Sequence, residues 1–321
     1  ACEKLRRCVA EYHPNHRGER FETTASLGAM FVMPGHEAHE CITIADTALL
    51  AAKDTGKNRV TIQRPDDPTS MLGEASRWGT NIKQALNEDR LETHFQPIVD
   101  FSAQSIGFHE VLVRLRSTEG HLVGPDIFLP AAERFGLMLE IDHYVLTEAF
   151  DRLKDDEDLA LFVNISGSSL GEKRLGNLIR RQIEQDGSVA RRLVVEITET
   201  AGIRDFALAS TWMEDLKALG VRFALDDFGV GYASFTCLRS LPVDFVKIDG
   251  EIIRRLQNNE ADRAWVKAMI AVGQALGKRI VAEFIEDRQT AEEVREMGVE
   301  FGQGHYWASP QSDPMRQIPS A

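Results

Sequence analysis

No apolar run in the 321-residue chain approaches the ~18 residues that a membrane-spanning helix requires, so no span is predicted. Cysteine is scarce: Cys2, Cys8, Cys41 and Cys237 are scattered, with no CxxC pair. In a chain this long that pattern excludes a disulfide scaffold and reads as reduced thiols in a cytosolic protein. His36, His39 and Cys41 lie close together in HEAHEC, but no second pair at ligand spacing accompanies them, which argues against zinc. Positive charge is in deficit, with 37 Lys+Arg against 50 Asp+Glu and a net charge of −13. This balance argues against general affinity for nucleic acid or an anionic membrane. A phosphate-bearing ligand stays compatible only with a site that supplies its own positive charge. No apolar stretch follows Ala1, so no signal peptide is expected. The missing initiator Met suggests a fragment of a longer polypeptide. The expected location is the cytoplasm, including that of a cytosolic portion of a sensor-linked or membrane-attached protein.

What is present is the balance of a globular protein, 43% hydrophobic and 27% charged, which excludes a disordered chain and a collagen. The length suits one large domain or two ordinary ones. Residues 1–63 form a first block whose charges sum to about zero. EKLRRCVAEY reads as a helix, and FETTASLGAMFVM as a strand ended by Pro34-Gly35. ECITIADTALLAAKD reads as an amphipathic helix stopped at Thr55-Gly56, and RVTI as a short strand. Residues 64–90 read as a Pro- and Asp-containing linker, then a helix over about 71–88 that Ser70 would cap.

From Leu91 to about residue 315 short apolar strands alternate with amphipathic helices. The strands are HFQPIVDF, FHEVLVRL, LFVNIS, LVVEITE, RFALDDFG, DFVKIDG, RIVAEFI and EFGQGHYWAS. Eight strands with helical crossovers predict an α/β fold, a (β/α)₈ barrel. An open doubly wound sheet is the runner-up, weakened because no glycine-rich phosphate loop follows the first strand.

Nearly every strand carries a polar residue near its end: Glu110, Asn164, Glu196, Glu199, Asp226, Asp227, Lys247, Asp249, Glu283, Glu286 and Gln303. Acids inside buried strands are costly unless paired or metal-bound. Alternation puts Lys247 with Asp249, and Val281 with Glu283 and Ile285, on shared faces. In a barrel that face is the interior, and the carboxyl ends converge on one mouth. Acids from several strands meeting there would repel one another without a cation. The ligand types are carboxylates and an amide oxygen, which select Mg²⁺ or Mn²⁺ over zinc. Adjacent acids such as Asp226-Asp227 can reach two ions. Two divalent ions ~4 Å apart are the usual apparatus for in-line attack on a phosphodiester, and they invert the local sign so that an acidic protein can hold a phosphate.

These motifs resemble the EAL-domain phosphodiesterases of cyclic di-GMP signalling. The name-giving tripeptide stands as Glu110-Val111-Leu112, followed by Arg114. FQPIV at 95–99, NIS at 164–166, EITE at 196–199, DDFGVGYAS at 226–234, KIDG at 247–250, AEFIE at 282–286 and QG at 303–304 follow in the family's order. The resemblance implies a barrel whose first strand is antiparallel. It implies a first metal ion on Glu110, Asn164, Glu196 and Asp226, and a second on Asp226 and Asp227. Glu283 would be a metal-site acid and the general base, Lys247 would hold the water or the phosphorane charge, and Glu199 would pin the loop after DDFG. Gln96 and Arg114 would touch the substrate, Glu286 and Gln303 would support the site, and His305 would stack on a guanine. The implied reaction is hydrolysis of one phosphodiester bond of cyclic di-GMP, giving pGpG. A homodimer is implied as well, with the loop at 227–235 taking part in the contact.

The chain departs from the family pattern at Val111 for Ala, at Val230 and Ala233 in the loop, and at Phe284 where glycine is common; Phe284 could press on the metal-site acid. His109 faces outward by alternation and has no assigned role. No matched ligand is missing. A catalytically silent module that binds the dinucleotide is the alternative, and an unrelated Mg²⁺-dependent barrel a third reading. Residues 1–63 resemble the C-terminal half of a GGDEF domain. The chain has no Gly-Gly dipeptide, so the cyclase signature is absent. Such a remnant buries little surface and leaves strand edges unpaired, and it is expected to be partly disordered, or ordered by packing on the barrel or on a second chain.

Overall fold

The computed structural model describes residues 2–12, 15–16, 19–20, 23–32, 38–54, 57–63, 71–198, 206–229, 238–256 and 259–318. Ser70, Glu199, Val230, Ala233 and His36 therefore lie outside the described residues. The chain divides into two compact units, residues 1–88 with 126–137, and residues 89–125 with 138–321.

The first unit holds α1 (Cys2–Glu11), β1 (Leu27–Met30), α2 (Ala38–Asp54), β2 (Val60–Gln63) and α3 (Met71–Asn87). β1 and β2 pair in parallel, Leu27 opposite Val60, with α2 as the crossover that a parallel pair needs. Gly28 lets α2 lie close on β1: a Cβ there would stand 2.1 Å from the Ala45 carbonyl oxygen. α4 (Pro125–Arg134) belongs largely to this unit.

The second unit is an eight-stranded closed barrel. Its strands are β3 (Leu91–Asp100), β4 (Ser105–Arg116), β5 (Leu161–Asn164), β6 (Leu193–Thr198), β7 (Arg222–Phe228), β8 (Phe245–Ile248), β9 (Arg279–Ala282) and β10 (Phe301–Gln303). The helices are α5 (Met138–Asp155), α6 (Lys173–Gln185), α7 (Phe206–Lys217), α8 (Gly250–Arg255), α9 (Glu260–Ala275) and α10 (Arg288–Glu296). β4 to β10 pair in parallel in chain order, and β3 closes the barrel antiparallel to both β4 and β10. The antiparallel strand has a local cause. Only residues 101–104 join β3 to β4, too few for a crossover. The turn is built by the Asp100 carboxylate, which accepts from Ser102 N at 2.8 Å, Ser102 Oγ at 2.6 Å and Ala103 N at 3.0 Å.

Inside the barrel each strand gives one residue to an apolar layer: Ile98, Phe108, Phe162, Val194, Ala224, Phe245, Val281 and Phe301. The Phe rings meet edge to face at centroid distances of 5.0–6.0 Å, the arrangement the ring quadrupole favours. Against these rings lie the guanidiniums of Arg222 and Arg279, with Arg279 4.3 Å from the Phe301 centroid. This layer fixes what comes next. Strand side chains alternate, so the next inward residue lies two positions along. In β4 to β10 that step leads to Glu110, Asn164, Glu196, Asp226, Lys247, Glu283 and Gln303. In the reversed β3 the same step leads from Ile98 back to Gln96.

Candidate active site

The polar layer above the rings is centred on Lys247. Its side chain is 1% exposed, and its Nζ lies 2.8 Å from Glu283 Oε1, 3.0 Å from Glu196 Oε1, 3.3 Å from Asp226 Oδ1 and 3.3 Å from Glu110 Oε2. Burial alone would push the ammonium down, but the four carboxylates outweigh it and hold Lys247 well above the usual lysine range. The acids share one cation and differ in their other partners. Burial raises Glu110, yet Lys247, Gln303 and Asn164 together bring it below the ordinary carboxylate range. Asn164 Nδ2 donates to Glu110 Oε1 at 2.7 Å, and Gln303 Nε2 donates to Glu110 Oε2 at 2.6 Å. Glu196 has no such donors. It is fully buried, and neither of its oxygens accepts a directed hydrogen bond. Burial and then the Glu110 charge push it well above its ordinary value. Burial raises Glu283 to about 8, opposed by Lys247 and reinforced by Asp226. Asp226 is raised by burial too.

Asp226 and Asp227 are adjacent and by strict alternation would face opposite ways. The backbone breaks the alternation. Asp227 has a φ of +55°, and the β7–β8 register shifts between Leu225 and Phe228. The result is that oxygens of Asp226, Asp227 and Glu283 lie within 4.8 Å of one another. Burial and the neighbouring Asp226 and Asp249 charges raise Asp227 to about 6. Four carboxyls thus surround one ammonium, and Asp227 adds a fifth beside two of them. The donors are hard oxygens, several of them buried without a hydrogen-bond partner, and such a set fits a divalent Mg²⁺ or Mn²⁺ ion rather than a soft one.

The mouth opens as a cavity of about 310 Å³ whose walls include Gln96, Leu112, Asp227, Phe284, Glu286 and His305. Gln96 is tied into the layer: Gln303 Nε2 donates to its Oε1 at 3.1 Å and its own Nε2 donates to the Ala308 carbonyl at 3.2 Å. Glu286 is on the rim, paired with Arg254 at 2.7 Å. Arg114 does not line the cavity; its Nη1 donates to the Val113 carbonyl at 2.9 Å. Asp249, on the Lys247 face in sequence, instead caps α8 by accepting from Glu251 N at 2.9 Å. Val111 is buried in the ladder between Phe95 and Val163. His109 does point out of the barrel, but it is buried there, and burial pushes it down to about 4.

Two wall residues were not foreseen as such. Leu112 is two positions beyond Glu110 on the same strand face, a signal that alternation does carry. Phe284 had been expected to press on Glu283. Instead its backbone has a φ of +52°, its side chain is 49% exposed, and its ring lies on Gly250, where a Cβ would stand 1.9 Å from the ring. The Arg254 guanidinium covers that ring at 4.5 Å from its centroid.

The EAL domain family matches residues 80–310. The chain belongs to the EAL family. Among curated relatives, this EAL chain is 36% identical over 298 residues to "Cyclic di-GMP phosphodiesterase PdeB" of Shewanella oneidensis, covering 91% of the chain and 35% of the relative. It is 30% identical over 315 residues to "Bifunctional diguanylate cyclase/cyclic di-GMP phosphodiesterase MucR" of Pseudomonas aeruginosa, covering 96% of the chain and 46% of the relative. The EAL chain thus spans less than half the length of either. A solved structure, "PaMucR Phosphodiesterase, c-di-GMP complex", superposes with a TM-score of 0.68 at 31% identity, covering 73% of this chain and 97% of that one. Among the described residues, no helix of the EAL chain is long and apolar enough to cross a membrane.

Proposed function

We propose that the chain is a metal-dependent phosphodiesterase that hydrolyses one phosphodiester bond of cyclic di-GMP and releases linear pGpG. The observation that carries this reading is the set of four carboxyls around the Lys247 ammonium at the carboxyl ends of the barrel strands, with Asn164 bonded to one of them and Asp227 beside two of them. The names of the relatives and of the superposed complex support the choice of substrate.

Glu110, Asn164, Glu196 and Asp226 would hold one cation, and Asp226 with Asp227 a second. When bound, the two ions acidify water and stabilise charge on the phosphodiester. Glu283 takes the proton of the attacking water. Its carboxyl sits at about 8 beside its acidic neighbours, and added positive charge nearby favours the ionised form that a base requires. Water oxygen bonds to phosphorus, the bond from phosphorus to the ribose 3′ oxygen breaks, and that oxygen takes a proton from solvent. Lys247, fixed and buried, supplies positive charge toward the phosphorane from a preorganised position. Gln96, Glu286, Gln303 and His305, which line the cavity, are assigned to the substrate side; Arg114 is assigned to the part of the substrate that extends past the cavity walls, and Glu199 to the loop after β7. Residues 1–63 are assigned as a GGDEF-like remnant without cyclase activity. The homodimer and its coupling to the 227–235 loop belong to the same proposal.

Incubation with cyclic di-GMP and Mg²⁺ or Mn²⁺ should yield pGpG, and Glu110→Ala and Glu283→Ala should each lower turnover at least ~10³-fold. Ca²⁺, which tolerates looser geometry, should bind but support little turnover. Binding without product would indicate the receptor alternative, and neither binding nor product would overturn the reading.

A further inference from the structure

α5 carries an acid where its apolar stripe calls for a hydrophobe. Asp142 stands one turn before Val145 and Leu146, which with Ala149 and Leu153 form the buried face of the helix. Asp142 is 4% exposed, and burial pushes its carboxyl up to about 6. Retaining a carboxyl here costs stability that a leucine would not. Its partners indicate what is obtained in return. Asp142 Oδ2 accepts from Ser166 N at 3.1 Å and from Ser166 Oγ at 2.7 Å. Ser166 Oγ also meets the hydroxyl of the buried Ser169 at 2.9 Å.

Ser166 is the residue at which the chain leaves β5 and enters a single 3₁₀ turn, Gly167–Ser169. Two residues earlier is Asn164, whose Nδ2 donates to Glu110 Oε1. Between them, Ile165 N donates to the Glu196 carbonyl at 2.9 Å. The Asn164-Ile165-Ser166 segment is therefore tied on one side to β6 and on the other to Asp142. On its β4 edge the β5 ladder ends at Val163, and on its β6 edge at Asn164, with Ile165 N giving the last bond. Beyond that point the carboxylate of α5 takes over, with two hydrogen bonds to Ser166 that fix both its position and its orientation.

We infer that Asp142 is a positioning residue: by clamping Ser166 it holds the Asn164 amide oxygen in register with the Glu110 and Glu196 carboxylates, and so sets the affinity of the site for a divalent cation. This rests on the function proposed above. Partners that orient a ligand typically affect metal affinity 10–100-fold.

The test is Mn²⁺ binding by calorimetry to the full chain, well below each variant's melting temperature, with the melting temperature of the metal-free protein measured alongside. Asp142→Leu should weaken Mn²⁺ at least ~10-fold. Asp142→Asn keeps an acceptor oxygen for Ser166 and should restore affinity to within ~3-fold of the original chain. Ser166→Ala removes one of the two bonds without disturbing the core, and should give an intermediate loss even if Asp142→Leu does not fold. Lowered melting temperatures with unchanged Mn²⁺ affinity in Ser166→Ala and in every folded Asp142 variant would make Asp142 a packing residue only and overturn the inference. Failure of the original chain to bind Mn²⁺ at all would instead overturn the proposed function on which it rests.

Discussion

Lys247 neutralises what would otherwise be a cluster of buried acids, and its removal has a calculable sign. Lys247→Met leaves carboxyls facing one another in a dry site, where losing one partner of a buried pair costs ~3–5 kcal/mol. The acids can answer by taking up protons. The loss should therefore be largest near pH 8 and shrink toward pH 5, which urea unfolding at the two pH values will read. The raised Glu283 and Asp227 carboxyls, at about 8 and about 6, predict a second effect. Ligands must be ionised to bind a cation, so Mn²⁺ affinity should rise with pH between 6 and 8. Binding at pH 7 should release protons, measurable in two buffers of different ionisation enthalpy. His109 is shifted the other way, downward. Its folded value of about 4 is below its ordinary 6.5. The unfolded chain takes up this proton near pH 6.5, so stability present above that pH is lost as pH falls toward 4. The shift corresponds to ~3 kcal/mol. His109→Leu should flatten that part of the acid denaturation profile; an unchanged slope would contradict the assignment.

Among the elements, the segment after β9 is fitted closely to the start of α8. Phe284 holds a left-handed conformation that costs a non-glycine residue ~1 kcal/mol, and its half-exposed ring recovers part of that on Gly250 and under Arg254. Phe284→Gly should be close to neutral in stability, while Phe284→Ala keeps the strain, loses the ring, and should be ~1 kcal/mol worse. Gly250→Ala would drive a methyl into the ring and displace the segment that carries Glu283 and Glu286. It should lower activity, and adding Phe284→Gly should restore it. A double variant no better than Gly250→Ala would show that the ring contact is not the constraint. The β3–β4 connection shows how a short element decides topology. A four-residue link forces an antiparallel pair, and that shortness was not readable beforehand, because ten residues separate FQPIV from EVL and only the structure extends the two strands to Asp100 and Ser105. Alternation assigned most of the mouth because it is a property of any strand. It failed at Asp227 and Phe284, where positive φ turns the chain, and neither residue type announces that.

At the scale of the molecule, the barrel separates its charge by height: arginines on Phe rings on one side of the apolar layer, acids around a lysine on the other. The acidic layer should make the chain more stable with its cation than without. Saturating Mn²⁺ at 100 times its dissociation constant should add ~2.7 kcal/mol, visible as a raised melting temperature that Glu196→Gln abolishes. The first unit is a smaller body with one parallel strand pair and one glycine-packed helix. Its division from the barrel, with residues 126–137 grouped on its side, could not be read from local pattern, because grouping depends on contacts between segments distant in sequence.

The amino-acid sequence by itself determined the strands, their inward faces and hence the roster of acids, because a two-residue period and buried charge are visible in one dimension. Only the tertiary structure decided that four of those acids share a single ammonium, that Asp226 and Asp227 face the same way, and that Asp142 on a neighbouring helix grips the strand exit at Ser166. Those outcomes depend on distances between separate elements and on backbone torsions, and neither is a property of residue type or spacing.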